Sequence, residues 1–235
     1  LYADVLKQYS KEKVSREKDK CKVPATLWNG MIAPILGYTV KGNIWYQGES
    51  NSVRYEKYQE VFTNLINSWR KEWNQGEFPF YYVQIAPYDY GRKNADKTEA
   101  AEIRQVQLEC LKEIPNAGMV VTADIGNRTC VHPSDKESVG KRLALWALAK
   151  TYQRSGTPYS GPLYKSFTID KEKIIVEFDY AEMGMTSYDR EIVGFEIAGK
   201  DGIYYPAKAV LFDNKTKVML TSDQVPEPVG VCLFY

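Results

Sequence analysis

Short apolar runs alternate with longer amphipathic segments over the first two thirds of the chain. Runs rich in aromatic and β-branched residues predict strands at Asn43–Tyr46, Phe78–Ala86 and Met119–Ala123. Apolar residues at helical spacing follow each run and predict three helices, the second over 98–114 and the third after His132. Strands that alternate with helices predict an α/β fold, a parallel sheet covered by helices on both faces. The buried face of the first helix is expected to consist of Tyr55, Tyr58, Phe62, Leu65, Ile66 and Trp69.

The pattern changes near residue 158, where short alternating runs are separated by Gly and Asp/Asn turns. We therefore expect two domains, an α/β domain over 1–157 and a smaller β-rich domain over 158–235. Residues 1–22 carry alternating charges with little apolar content and predict a solvated helix or a disordered arm. The strands predicted in the β-rich unit include Leu163–Ile169, Lys173–Phe178, Val193–Ala198, Tyr204–Val210 and Lys217–Thr221.

Composition and charge exclude several classes of function. A hydrophobic content of 44% over 235 residues is enough for a sizeable core. The net charge of +1 provides no electrostatic footprint for nucleic acid or an anionic membrane, and no apolar run is long enough to span a membrane. The four cysteines and the single histidine lack metal-ligand spacing, so no metal site is expected. Cys110 lies on the apolar face of the second predicted helix, which indicates a buried thiol.

The single histidine is the leading candidate for proton transfer, because its unperturbed pKa is the one nearest neutrality among the side chains of this chain. His132 lies between a predicted strand and a predicted helix. Ser134 is interpreted as the N-cap of that helix, and Glu137 as its partner in a capping box. The alternative is that His132 only caps a loop.

Three polar loops follow the predicted strands. They are Gln47–Asn51, Pro87–Asn94 and Asp124–His132. In open parallel α/β sheets, ligands bind beyond the carboxyl ends of the strands. The sequence therefore predicts a site at that edge of the sheet.

Two motifs carry a resemblance to a known family. The segments Trp45-Tyr-Gln-Gly-Glu-Ser-Asn51 and Val131-His-Pro133, the latter followed by Val139-Gly-Lys-Arg-Leu-Ala-Leu-Trp-Ala-Leu148, resemble the sialate O-acetylesterase family of SGNH-type hydrolases. Further similar segments lie at Leu27–Pro34 and Val193–Gly199. The resemblance implies an SGNH/flavodoxin-like parallel sheet and a carbohydrate O-acetylesterase that is secreted or periplasmic.

The resemblance also implies a chemistry. An acetyl group is removed from a sugar hydroxyl by a serine nucleophile, with His132 as general base and no metal or organic cofactor. Gln47 and Gly48 are the candidate oxyanion-hole donors. The substrate is expected to be an O-acetylated sialic acid, with acetylxylan as the alternative. Loop support or substrate contact is expected from Glu49, Ser50, Asn51 and Tyr88.

One departure from the family concerns the nucleophile. The family carries it in a Gly-Gln-Ser-Asn segment upstream of the first motif, and these 235 residues contain no such segment. Ser50 lies in a matching motif but is not the serine that the family uses. Because the chain starts at Leu1 and ends within a predicted strand, we expect a fragment whose nucleophile lies in a missing N-terminal part, and which is inactive alone. A catalytically inactive glycan-binding or interaction module is the alternative of another class.

A second departure concerns the acid that orients the histidine. Family members commonly have an acid two or three residues upstream, where this chain has Cys130 and Thr129. His132 would then be oriented by a backbone carbonyl, or by an acid from elsewhere such as Asp124 or Asp135. Cys130 itself could be an orienting position, a thiol nucleophile or a core residue.

Overall fold

A computed structural model describes residue 23 and residues 25–89 and 98–233 of the chain. The predictions for the arm 1–22 and for residues 90–94 of the second loop lie outside the described residues. The same holds for residues 234–235 at the end of the last predicted strand.

The first part of the chain forms a three-stranded parallel sheet with strand order β1-β2-β3. Its strands are β1 (Asn43–Tyr46), β2 (Phe80–Val83) and β3 (Ala117–Val120). Three α-helices, α1 (Tyr58–Trp73), α2 (Glu99–Glu113) and α3 (Lys136–Trp146), follow the strands in turn. The shorter helical segments are Trp28–Ile32, Ala33–Ile35, Glu49–Lys57 and Ala147–Thr151.

Alternation along β2 distributes its side chains between two hydrophobic cores. Phe80 and Tyr82 pack with the buried faces of α1 and α2. Tyr81 and Val83 point to the opposite face and pack with α3. All four residues are buried, as expected for a central strand covered on both sides. The predicted α/β class with helices on both faces is therefore confirmed.

Several predicted elements have different limits in the structure. The strand predicted to reach Ala86 ends at Val83. The Gln84 N–H still donates to the Val120 carbonyl, and side chains provide the next partners: Thr122 donates to the Gln84 carbonyl and Gln107 accepts from the Ile85 N–H. The segment before α1 is a 3-10 helix rather than α-helix, with a kink at Arg54. The buried face of α1 also extends beyond the predicted one to Trp73.

Residues 163–233 form two antiparallel sheets, which confirms the predicted change to β structure. The strand predicted over Tyr204–Val210 is two strands, because the chain crosses from one sheet to the other at Ala207. Before this region, the rings of Trp146 on α3 and Tyr159 are in contact, with ring centroids 4.7 Å apart, so residues on the two sides of the predicted domain boundary pack together. The domain boundary at 157/158 remains a prediction. The sheets have the orders β4-β5-β9-β8 and β10-β6-β7, with β4 (Leu163–Asp170), β5 (Lys173–Asp179), β6 (Phe195–Ala198), β7 (Tyr204–Pro206), β8 (Lys208–Phe212), β9 (Lys217–Thr221) and β10 (Gly230–Leu233).

A buried arginine joins α1 to the segments that lead into β2 and β3. The Arg70 guanidinium donates through Nε and Nη2 to the Phe78 carbonyl, at 3.2 and 2.8 Å, and through Nη2 to the Pro115 carbonyl at 2.8 Å. Its side chain is 6% exposed. Sequence periodicity missed this residue because an arginine on a helix is ordinarily assigned to the solvated face.

Replacing Arg70 with methionine should lower the free energy of unfolding by about 2–4 kcal/mol, since two carbonyls lose charged donors in a buried setting. Chemical denaturation measures this change. Lys71→Met, at the neighbouring exposed position of the same helix, is the matched control and should change stability by less than about 0.5 kcal/mol. Equal effects of the two substitutions would contradict a structural role for the Arg70 contacts.

Candidate active site

The loop after β1 is held by its own hydrogen bonds. The Gln47 side-chain amide donates to Asn51 Oδ1 at 2.6 Å, and the Asn51 backbone N–H donates to the Gly48 carbonyl at 2.8 Å. The Ser52 hydroxyl donates to the Glu49 carbonyl at 2.9 Å. Among the described residues, the Gln47 amide donates only this one hydrogen bond, which leaves its second proton for a ligand. Asn51 thus contacts both Gln47 and Gly48, and its role as loop support or substrate contact stays a prediction.

Gly48 is buried at a point of close approach between three elements. A Cβ atom there would lie 2.6 Å from Ile85 Cγ2 and 2.9 Å from the Gln107 side-chain nitrogen. Only glycine fits this space without displacing a neighbour. Within the described residues, no hydrogen bond uses the Gly48 N–H. Ser50, two residues further along, is exposed.

Gln107 is a component of the site that the sequence reasoning missed. It lies on α2, and its side chain is fully buried between Ile103 and Cys110 of the same core-facing stripe. Its Nε2 lies 3.3 Å from the Gln47 carbonyl. The available signal was a polar amide in an otherwise apolar helical face. The predicted burial of Cys110 is confirmed, and burial raises the pKa of its thiol to about 12.

The loop that carries His132 is shaped by an asparagine. Asn127 Oδ1 accepts from the backbone N–H groups of Thr129 and Cys130, at 2.8 and 3.0 Å. Further on, the Cys130 thiol donates to the His132 carbonyl at 3.2 Å. The His132 side chain is exposed, and Pro133 beside it is buried. The structure therefore presents the imidazole to solvent from an anchored loop.

The two candidate orienting acids have other partners. Asp124 receives two hydrogen bonds from Arg142, at 2.7 and 2.6 Å, and this contact lowers the pKa of Asp124 below its ordinary value. Asp135 Oδ1 accepts from the Ser138 N–H at 2.9 Å. Within the described residues, neither carboxylate is hydrogen-bonded to the His132 ring. Cys130 is exposed, so the interpretation of Cys130 as a core residue is wrong.

The predicted capping box at the start of α3 is also wrong. Asp135, not Ser134, is the N-cap, and α3 begins at Lys136. Glu137 pairs with Lys141 one turn further along the helix instead of reaching back to the cap. A turn in which the Lys136 N–H donates to the Ser134 carbonyl moves the helix start by one residue, and it leaves the Asp135 carboxylate at the N-terminal end of the helix dipole.

The described parts of the three loops follow neighbouring parallel strands and therefore lie at one edge of the sheet. The Lys136 ammonium lies 4.5 Å from the centre of the Tyr46 ring, so the start of α3 adjoins the strand end that leads into the Gln47 loop. The Asp89 N–H donates to the Arg128 carbonyl at 3.2 Å and joins the second loop to the third. Residues of these two loops line a solvent-open cavity of about 360 Å³. The lining residues are Pro87, Tyr88, Asp89, Ala123, Asp124, Gly126, Asn127 and Arg128.

Two further observations concern metals and membranes. Among residues 23, 25–89 and 98–233, no group of three or more His, Cys, Asp or Glu side chains is arranged to hold a metal ion. No helix in the same part of the chain combines the length and the apolar character needed to cross a membrane.

Comparison with known proteins identifies the family. A family model described as carbohydrate esterase, sialic acid-specific acetylesterase, matches residues 15–149, more than half of the chain. The chain belongs to the sialic acid-specific acetylesterase family. The resemblance seen in the two sequence motifs is thereby confirmed.

Two sialate O-acetylesterases are similar in sequence to about two thirds of this chain. A sialate O-acetylesterase from Mus musculus is 34% identical over 163 residues, which cover 62% of this chain and 30% of the relative. The Homo sapiens enzyme of the same name is 32% identical and covers 66% of this chain and 33% of its own length. This acetylesterase-family chain thus spans about a third of the length of the curated relatives it matches.

A solved structure shows the same fold. The crystal structure of a carbohydrate acetylesterase from Xanthomonas citri superposes with a TM-score of 0.78 at 36% identity, and the match covers 91% of this chain and 49% of that one. The parallel sheet of this acetylesterase-family chain, with its helices on both faces, has the SGNH-like α/β fold that the resemblance implied.

Proposed function

We propose that this chain is the part of a carbohydrate O-acetylesterase that supplies the general base and the oxyanion hole, and that the enzyme removes acetyl groups from O-acetylated sialic acid. The observation that carries the proposal is the position of the Gln47 loop and the loop before α3 at the carboxyl edge of one parallel sheet, where Lys136 at the start of α3 lies against Tyr46 at the end of β1. Parallel α/β sheets bind their ligands at this edge. Family membership is what makes an acetylated sugar the ligand proposed.

In the proposed reaction, a serine hydroxyl attacks the acetyl carbonyl carbon while His132 takes the hydroxyl proton. The carbonyl electron pair moves to oxygen, and the Gln47 amide and the Gly48 N–H donate hydrogen bonds to the resulting oxyanion. Collapse of the tetrahedral intermediate expels the sugar oxygen, which takes its proton from His132. Water, deprotonated by His132, then releases acetate from the acetyl-serine and restores the serine.

The proposed nucleophile belongs to a part of the protein outside these 235 residues. Supporting this, β1 pairs only with β2 among the described residues, so β1 is an edge strand of the parallel sheet that those residues form. Ile44 on β1 is 67% exposed, whereas parallel strands are ordinarily buried on both faces. An N-terminal part of the same protein would pair with β1, cover Ile44 and bring its serine to the end of the strand.

The location proposed for the enzyme is secreted or periplasmic, in line with the family resemblance. An O-acetylated sugar is the partner proposed, with neither nucleic acid nor membrane as a binding partner, since the net charge of +1 favours no polyanionic surface.

The test compares this 235-residue chain with a longer protein that contains it and a Gly-Gln-Ser-Asn segment. The longer protein should release acetate from 9-O-acetyl sialic acid faster than from acetylated xylo-oligosaccharides, and the 235-residue chain should release none above background. Faster turnover of the xylo-oligosaccharide would change the substrate to acetylxylan. If neither form hydrolyses acetylated glycans but one of them binds these glycans, the protein is a glycan-binding module and the proposal of an enzyme is wrong. If the 235-residue chain is active and Ser50→Ala abolishes that activity, the nucleophile is Ser50.

Restoring a carboxylate upstream of the histidine should favour catalysis. Because Cys130 is exposed and its thiol contacts the His132 backbone, Cys130→Asp should change the free energy of unfolding by less than about 0.5 kcal/mol. In the longer protein, the same change should preserve or raise kcat, since a carboxylate near the ring fixes its tautomer and stabilises imidazolium. Steady-state kinetics check this. Cys130→Ser is the control and should be silent; a large loss of kcat in that variant would instead favour a reacting thiol.

A further inference from the structure

We infer that Gln107 is a positioning residue for the oxyanion hole: its buried amide fixes the backbone of Gln47 and Gly48 against the end of β2. The inference rests on the proposed function, because it assigns Gln107 a role through those two donors. No hydrogen bond from Gln107 to a reacting atom is required.

The two ends of the Gln107 amide contact different strand ends. Oε1 accepts from the Ile85 backbone N–H at 2.9 Å, just beyond β2. Nε2 lies 3.3 Å from the Gln47 carbonyl, just beyond β1, and 3.5 Å from the Val83 carbonyl. A single side chain from α2 therefore connects the carboxyl ends of two neighbouring strands. This polar bridge is fully buried, where unsatisfied amide groups are costly and satisfied ones specify one geometry.

A tyrosine completes the contact with the loop. The Tyr58 hydroxyl, at the start of α1, donates to the Gln47 carbonyl at 3.3 Å and lies 3.4 Å from Gln107 Nε2. Burial raises the pKa of Tyr58 to about 12, so its hydroxyl stays protonated and remains a donor near neutral pH. The Gln47 carbonyl is thus held from α1 and from α2 at once.

Close packing transmits this restraint to Gly48. Gln107 Nε2 lies 2.9 Å from the position that a Cβ of residue 48 would take, so the backbone at Gly48 packs closely against the amide. Holding the Gln47 carbonyl also holds the direction of the Gly48 N–H, because the two bonds point in opposite directions within one planar trans peptide unit. The direction of this N–H, and therefore its aim at an oxyanion, depends on the amide of Gln107.

The decisive experiment uses the longer esterase and the variant Gln107→Met, which keeps the length of the side chain and removes the polar bridge. We expect kcat to fall about 10-fold or more while KM stays within about 2-fold, because preorganised donors act on the transition state rather than on bound substrate. Amide hydrogen exchange should become faster at Asn51, whose N–H donates to the Gly48 carbonyl.

Cys110→Ala is the matched control, since Cys110 is equally buried on the same helix and lies one turn further from the loop. It should lower the melting temperature about as much as Gln107→Met and leave kcat and the exchange at Asn51 unchanged. Equal loss of kcat in the two variants would reduce Gln107 to a stability residue and overturn the inference.

A second variant covers the case in which Gln107→Met does not fold. Gln107→Glu retains an acceptor for the Ile85 N–H and replaces the donor that faces Gln47 with a carboxylate oxygen. Its kcat relative to the unaltered enzyme should rise as pH falls, because protonation of a buried carboxyl restores a donor. A ratio independent of pH would contradict the inference.

The outcomes separate this inference from the proposed function. If Gln47→Ala lowers kcat and neither Gln107 variant does, the oxyanion hole stands and the positioning role of Gln107 is wrong. If neither Gln47→Ala nor the Gln107 variants change kcat, the assignment of the loop as an oxyanion hole is wrong.

Discussion

Replacing His132 with alanine in the longer esterase is expected to lower kcat about 10³-fold or more, because the general base and the nucleophile act as a unit. The fold should be unaffected. The His132 side chain is exposed, and no hydrogen bond of its ring is present within the described residues. Initial rates of acetate release, with circular dichroism and a thermal melt of the same sample, measure both quantities.

The neighbouring carboxylate provides the control for this substitution. Asp135→Asn retains an oxygen that can accept from the Ser138 N–H, so the helix cap survives. We expect kcat close to that of the unaltered enzyme, in keeping with Asp135 as a cap. A large loss of kcat in Asp135→Asn would instead make Asp135 the orienting acid of His132. Near-normal activity of His132→Ala would remove the histidine from the mechanism.

Replacing Gln47 with alanine is expected to lower kcat about 10²- to 10³-fold with little change in KM, the loss found when one oxyanion-hole donor is removed. In the part of the chain that the structure describes, Gln47 donates one amide proton to Asn51, and the other proton is the one assigned to the oxyanion. Kinetics with 9-O-acetyl sialic acid measure the effect.

Asn51→Ala distinguishes catalysis from loop support. This variant keeps the Gln47 amide but removes the acceptor that orients it, so its loss of kcat should be smaller than that of Gln47→Ala. An increase in KM with unchanged kcat in Gln47→Ala would make Gln47 a uniform binding contact and would exclude it from the oxyanion hole.

The order of elements could be predicted from periodicity. The predicted limits of β1 at Asn43–Tyr46 and of β9 at Lys217–Thr221 agree with the structure, because the short apolar run there coincides with backbone pairing. The end of β2 was predicted too late, and beyond it the side chain of Gln107 is the partner of the Ile85 N–H. Such a partner lies on a distant part of the chain and leaves no local signal.

The position of Gln47, Gly48 and His132 in loops after the strands could also be predicted, because they lie in motifs with local sequence signatures, and their chemical roles stay predictions. The contacts of the surrounding side chains could not be predicted from the sequence. Asp124 is an ionisable residue near a histidine in sequence, yet Arg142 on α3 binds its carboxylate. A choice between an arginine and an imidazole depends on distances across the fold, which sequence spacing does not contain.

The sequence by itself determined the alternation of strands and helices, the edge of the sheet that carries the loops, and the family, because these depend on local periodicity and on short motifs. Only the tertiary structure decided that Gln107 and Arg70 are buried, that Cys130 is exposed, and that Asp135 caps α3. The physical reason is that a polar side chain is buried only where partners from other elements satisfy it, and those partners meet only when the chain has folded.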